Sequence, residues 1–272
     1  MKNKISLTPL VIMIVLFFSC SKDDDRDEVL TSNMYLSFYH SVGGEVLETY
    51  PFGCIDGGDC CDDHACCMGG LNYTNPAGEQ YNIETLKYII SNLVLHSNDG
   101  TEKLLKEVHF IDVQDPLTLR IDLGELENGN YNKLTFTMGL DSNLNIANRY
   151  VNEPWHLAMG WPMNWGYHYM KLEGAFDTII NGYLTHTGPT DGMDMSFSNE
   201  SVDLWINVDD NTGDINSTLM MEINNWYQYP NDISFASYGP PGNNGIMGNM
   251  MMQHKLQENG QADVFSFTVS IQ

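Results

Sequence analysis

Through much of the chain, apolar and polar residues alternate with a period of two, the mark of strands with one buried face. Met34, Leu36, Phe38, His40 and Val42 share a face of one such segment, with Tyr35, Ser37, Tyr39 and Ser41 opposite. Further on, Ile83-Glu84-Thr85-Leu86 predicts a short helix, and Tyr88 to Leu95 a buried strand that ends at Asn98-Asp99-Gly100. Strands are expected at Val108 to Val113, Leu117 to Leu123 and Leu134 to Met138, with turns at Asp115-Pro116 and Asn128-Gly129-Asn130. Val202 to Val208 and Thr218 to Ile223 flank an acidic stretch, Asp209 to Asp214. That stretch lacks the spacing of an EF-hand and predicts an ordinary hairpin turn. Phe265, Phe267, Val269 and Ile271 alternate in a last strand. Many short strands, close turn signals and no long repeat predict an all-β fold: an antiparallel β-sandwich with long loops and little helix.

The stretch Met159 to Gly188 is the densest in reactive side chains, with two tryptophans, three tyrosines, two histidines and three methionines. Its first half places His168, Met170 and Leu172 on one face of a strand. Its second half places Leu184 and His186 together, on a face the alternation points inward. A buried imidazole without a partner costs about 1–3 kcal/mol. Two such histidines in consecutive strands are answered either by a shared metal ion or by separate bonds to carbonyls and tyrosines. His40 is a third histidine on an apolar strand face. In Met247-Gly248-Asn249-Met250-Met251-Met252-Gln253-His254, thioethers beside an imidazole suit soft Cu(I), while the helical spacing to Leu256 suits a short packing helix.

The 272 residues carry 36 Asp and Glu against 12 Lys and Arg, a formal charge of -24. This excludes the basic patches that nucleic acid or an anionic membrane requires. Residues 1–19 read as an export signal: Lys2 and Lys4 precede an apolar run from Leu7 to Phe18, too short for the roughly 20 residues of a membrane span. The run ends in Leu16-Phe17-Phe18-Ser19-Cys20, which resembles a bacterial lipobox and implies lipid on Cys20. Ser21-Lys22-Asp23-Asp24-Asp25 is similar to the acidic tag of surface lipoproteins in Bacteroidetes, so the expected location is the outer membrane, facing outward. Residues 20–32 form an acidic tether, and 33–272 a single domain. Cys54, Cys60, Cys61, Cys66 and Cys67 crowd a polar loop together with His64. Export to an oxidising compartment makes two disulfides and one spare thiol the expectation, since the spacing is not that of a zinc knuckle.

Several blocks in sequence carry a family resemblance. Leu134-Thr135-Phe136-Thr137-Met138-Gly139-Leu140-Asp141 with Asn145 resembles the "L-x-F-x-x-G-V-D…N" core of the MbnP-like family, copper-binding proteins associated with methanobactin. Trp161 followed by Gly166-Tyr167 and Lys171-Leu172-Glu173-Gly174 resembles its "W-x-W-x-x-G-Y-x-x-x-K-L-E-G" block, and Leu184 to Gly188 its "F-x-F-H-x-G" segment. Phe38-Tyr39-His40 and Tyr88 to Leu95 are similar to two of its other strands. Ile146 stands where methanotroph members often have histidine, and Met163 where the second tryptophan stands, with Trp165 displaced by two.

The resemblance implies a β-sandwich that binds copper, as Cu(I), outside the cytoplasm without catalysis of its own. His186 and His40 would be ligands, with His168, His156 or a methionine completing the site. It further implies that Trp161 can be oxidised to kynurenine by a partner resembling a dihaem cytochrome c peroxidase. The alternative is a metal-free surface module whose aromatic residues recognise a peptide or glycan. No Gly-x-Ser-x-Gly, His-Glu-x-x-His, phosphate-binding glycine loop or haem-attachment motif is present. Replacing Cys20 with Ala is expected to release soluble protein or to leave unprocessed precursor, as read by membrane fractionation. Unchanged processing would refute the lipid anchor.

Overall fold

The computed structural model describes residues 31–49, 70–201, 204–209, 211–239 and 245–271. Cys20, the export signal and the five-cysteine loop lie outside these residues. Among the described residues fourteen strands follow in order: β1 (Thr31–Val42), β2 (Glu45–Val46), β3 (Tyr73–Thr74), β4 (Gln80–Tyr81), β5 (Thr85–Ser97), β6 (Glu102–Asp112), β7 (Arg120–Glu127), β8 (Gly129–Met138), β9 (Met170–Phe176), β10 (Thr178–Thr187), β11 (Phe197–Ser201), β12 (Ile206–Val208), β13 (Ile215–Glu222) and β14 (Phe265–Ile271). A single turn of helix, α1 (His156–Met159), precedes β9, and a longer helix, α2 (Met250–Ala262), precedes β14. Among the described residues no helix is long and apolar enough to cross a membrane.

The strands form two sheets. In the first, the order is β14-β13-β1-β2, with β7 also on β1; the second contains nine strands, with β5 paired to β6, β8 and β9, and β10 paired to β9. All the strand ladders are antiparallel except β1 with β13, which is parallel. Met34, Leu36 and Phe38 of β1 face Leu86, Tyr88 and Ile90 of β5 and Met170 and Leu172 of β9 in one buried core. The all-β sandwich expected from the alternation is the observed fold.

A bulge adapts β5 to this core. The period-two alternation would send Leu93 and Leu95 outward after Leu86, Tyr88 and Ile90. Asn92, at φ 50°, lies in the bulge where β5 gains one residue against β8, which returns both leucines to the core. Its side chain donates to Asp141 Oδ2 at 2.7 Å, tying the bulge to the loop after β8.

Several expectations are corrected. Ile83 to Leu86 forms no helix, and β5 begins at Thr85. Pro116–Thr118 is a turn of 3-10 helix, started by Asp115 accepting from Leu117 N, so the next strand starts at Arg120. Thr31 and Ser32, assigned to the tether, pair with Glu127 and Leu126 and open β1. The acidic stretch from Asp209 is no hairpin, because β12 pairs with β8 in one sheet and β13 with β1 in the other. Local turn residues mark the reversal but not which sheet receives the next strand. Met252 and Leu256 are buried on α2, as the packing reading of the methionine run requires.

His40 lies inside this core with its Nε2 3.0 Å from Tyr88 Oη, and burial lowers its pKa to about 4. The folded state therefore disfavours a proton that the unfolded chain takes up below pH 6.5. The stability associated with His40 is complete above 6.5 and is lost as pH falls toward 4. At up to ~1.4 kcal/mol per pH unit, His40 should make the protein about 2 kcal/mol less stable at pH 5 than at pH 7. Urea unfolding of His40→Gln should show a pH slope smaller by nearly one proton; an unchanged slope would contradict the assignment.

Candidate metal centre

The sheet around β5 and β9 is buried on both faces. Inward lie Tyr88, Met170 and Leu172. On the outer face, Leu140, Leu144, Trp155, Met159, Tyr167, Tyr169 and Met195 form a second cluster over Ile89. The loop from Gly139 to Tyr169 builds this cover, folding back on itself where Gly160 pairs with Tyr167 and Trp161 N donates to Gly166 O at 2.8 Å. Gly166, at φ 109°, is required here, since a Cβ would lie 2.1 Å from Asn145 Oδ1. That same oxygen accepts from Tyr167 N. The fold-back sets the Trp161 ring against His168, with centroids 4.6 Å apart.

His168 is 6% exposed. Its backbone N–H donates to Met159 O at 2.7 Å, and its Nδ1 lies 3.1 Å from the same oxygen. A carbonyl oxygen only accepts, so Nδ1 carries the ring proton and Nε2 holds a lone pair. Nε2 is buried and has no hydrogen-bond partner among the described residues. Burial, and next the His186 ring, lower the His168 pKa to about 4, so the ring is neutral at physiological pH.

His186 approaches from β10, its ring perpendicular to that of His168 with centroids 5.0 Å apart. Pairing sets His186 opposite Lys171 and Leu184 opposite Glu173, which puts Lys171, Glu173 and His186 on one face. His186 Nε2 donates to Glu173 Oε1 at 2.7 Å, and Lys171 Nζ lies 3.5 Å from that oxygen. The bond from His186, followed by Lys171, holds the Glu173 pKa down at about 2, so the carboxylate is ionised and can only accept. In the neutral His186 ring the proton therefore sits on Nε2 and the lone pair on Nδ1. The pair thus sets the unprotonated Nε2 ring edge of His168 beside the His186 ring, in a largely buried setting next to a carboxylate and under an indole.

The sequence reading placed Leu184 and His186 on an inward face; the opposite holds. Tyr183 and Thr185 are buried at 0%, Leu184 is 40% exposed and His186 lies on the outer face. Thr185 is held inside by the hydroxyls of Tyr227 and Tyr238, at 3.1 and 2.8 Å, partners that lie 42 and 53 residues away. Of the four histidines proposed as ligands, His168 and His186 are brought into ring contact. His40 is bonded to Tyr88, which stands opposite Met170, so it reaches this end of the sandwich from the facing sheet. His156 Nδ1 lies 2.9 Å from Tyr167 Oη. Ile146 is exposed. Among the described residues no cluster of three His, Cys, Asp or Glu side chains is assembled for a metal ion.

Two residues that the sequence reading passed over support the pair. Glu173 belongs to the Lys-Leu-Glu-Gly block, and its alternation with Lys171 was the available signal. Gln253 of α2, 1% exposed, donates to His186 O at 2.7 Å and accepts from Gly188 N at 3.3 Å. It pins the strand end beside the Trp161 seat, and nothing local in the sequence announces it.

These features define an all-β sandwich with a tryptophan-backed histidine pair on the outer face of one sheet. The chain belongs to the MbnP family, whose family model matches residues 31–251. Among solved structures it is similar to MbnP from Methylosinus trichosporium, at 11% identity and a TM-score of 0.53, over 89% of this chain and 100% of that one; at this identity the likeness concerns the fold. No curated protein matches the chain.

Gly188 is what lets Trp161 sit where it does, since a Cβ there would lie 2.4 Å from Trp161 Cζ3. Gly188→Ala is expected to displace the indole at a cost of about 1–3 kcal/mol. Near-ultraviolet circular dichroism should show an altered tryptophan band together with a lower Tm. Identical spectra and Tm would mean that the indole is not held by this contact.

Proposed function

We propose that the protein binds copper as Cu(I) between His168 and His186, outside the cytoplasm, and has no catalysis of its own. The observation that carries this reading is the bare, buried Nε2 of His168. A desolvated lone pair with no donor to meet it is costly in an apolar setting, and a metal ion answers it. Imidazole nitrogens suit a soft, low-coordinate Cu(I) ion, and membership of a copper-associated family supports the choice of metal. When bound, copper supplies a thiophilic, redox-capable cation; the chain supplies orientation and exclusion of water. Glu173 fixes the His186 tautomer and raises its basicity, as carboxylates behind metal-bound histidines do. Met159 O does the same for His168 with a neutral acceptor.

Trp161 packs on His168 and is the tryptophan placed for conversion to kynurenine, which would add further donors at the same spot. That oxidation calls for a partner enzyme, and a dihaem peroxidase-like protein is the class we propose. His40 and His156 hold tyrosine hydroxyls and serve as structural histidines or, for His40, as a donor freed if Tyr88 turns away. Anchored through Cys20 at the outer membrane, the site would face the surroundings of the cell.

Competition against a Cu(I) chelator tests this reading. His168→Ala and His186→Ala should each lower affinity by at least a hundredfold, and Glu173→Gln by about 10–100-fold, with circular dichroism unchanged. If wild type and His168→Ala compete equally, the copper site is elsewhere or absent, and the metal-free binding module takes its place. Mass spectrometry of protein from its native host should locate any kynurenine at Trp161.

A further inference from the structure

The methionine run before and within α2 divides into two parts. Asn249 caps the helix, its Oδ1 accepting from Met252 N at 3.2 Å, and Met252 and Leu256 turn into the main core. At 100° per residue, that orientation sends Met251 and His254 outward: Met251 is 65% exposed and His254 is exposed, while Met250 is half-buried against the second cluster. His254 stands one turn beyond both methionines, at i+4 from Met250 and i+3 from Met251, so its direction falls between theirs. Side chains at these spacings share a surface patch with roughly 5–6 Å between Cβ atoms. Packing of the core accounts for Met252. It does not account for Met251, an apolar side chain held in water next to an imidazole that makes no hydrogen bond or ion pair with another described residue.

The position of this patch gives it a purpose. Gln253, between Met252 and His254, is the residue whose amide holds His186 O and Gly188 N. Just upstream, Ile246 N donates to Leu184 O at 3.4 Å and Gly245 bridges to Leu184, so the segment entering α2 lies along the strand that carries His186. Two thioethers and one imidazole form a soft donor set that favours Cu(I) over the harder ions of the surroundings. We propose that Met250, Met251 and His254 form a second, surface site for Cu(I), outside the buried histidine pair. The choice of metal rests on the copper reading of that pair; the site itself does not depend on it. A site with Met251 and His254 open to solvent and Met250 half-buried would hold the ion more weakly and exchange it faster than the buried pair. That suits capture of Cu(I) at the surface before it reaches the interior.

The test uses the full chain carrying His168→Ala and His186→Ala, labelled with [13C-methyl]-methionine and titrated with Ag(I), a redox-inert stand-in for Cu(I). The methyl signals of Met250 and Met251, assigned by single Met→Leu variants, should shift with the first equivalents. This readout is separate from any thiol of the five-cysteine loop. Replacing both methionines with Leu, which preserves volume and helix propensity, should weaken Cu(I) binding at this site at least tenfold, and His254→Gln should do likewise. The same variants made with the histidine pair intact should retain the tight, single-equivalent Cu(I) site. Unmoved Met250 and Met251 methyl signals would overturn the proposal. Binding at the patch without binding at the histidine pair would uphold it while refuting the copper reading of the interior.

Discussion

A sheet that is buried on both faces has no room for a polar group unless a partner is provided for it. That constraint governs the region around β5 and β9. Most of the sandwich meets water on its outer faces, but here the loop from Gly139 to Tyr169 lays Tyr167, Tyr169, Trp155 and Met159 over Ile89 and closes the outer side. Several polar atoms beneath that cover are matched with an acceptor or donor: Tyr167 N with Asn145, Tyr169 Oη with Asp194, His156 with Tyr167 Oη. His168 Nε2 and Tyr150 Oη find none among the described residues. The His168 nitrogen, unlike that hydroxyl, belongs to a ring in contact with a second histidine.

The contrast between the two histidines of the pair is electrostatic. His168 rests on a neutral carbonyl and is kept uncharged by burial, whereas His186 rests on an ionised carboxylate shared with Lys171. Both arrangements fix a tautomer, but by different means, and they leave different ring nitrogens open. A protein with a net charge of -24 would attract many cations to its surface. On the proposed reading, selection at the pair would depend on donor softness and exclusion of water, not on charge.

Much of this was legible in the chain. The alternation of β1 and β14, the turns, and the identity of the histidine-bearing stretch follow from residues that speak to their immediate neighbours. The inward face of β10 was misread for a definite reason. Leu184 outranks Thr185 on any local scale of hydrophobicity, yet the hydroxyls of Tyr227 and Tyr238 make Thr185 the better core residue. Distant partners likewise decided the bulge at Asn92, the clamp from Gln253 and the sheet change after β12. The pairing of His168 with Trp161 rests on a loop fold-back that no periodicity encodes.

The parallel ladder between β1 and β13 has a consequence for how the molecule is made. β1 is an interior strand of its sheet, and one of its two edges is occupied by residues Ile215 to Glu222. A ribosome or export channel delivers the N-terminal end first, so β1 must wait, with half its hydrogen bonds unmade, until some 170 further residues have emerged. Contacts this distant in sequence form slowly and leave an unpaired strand edge open in the interim. The histidine pair is also finished late, since Gln253 belongs to the last stretch delivered. A nascent chain would therefore carry an incomplete histidine pair until Gln253 had emerged and bonded His186 O and Gly188 N.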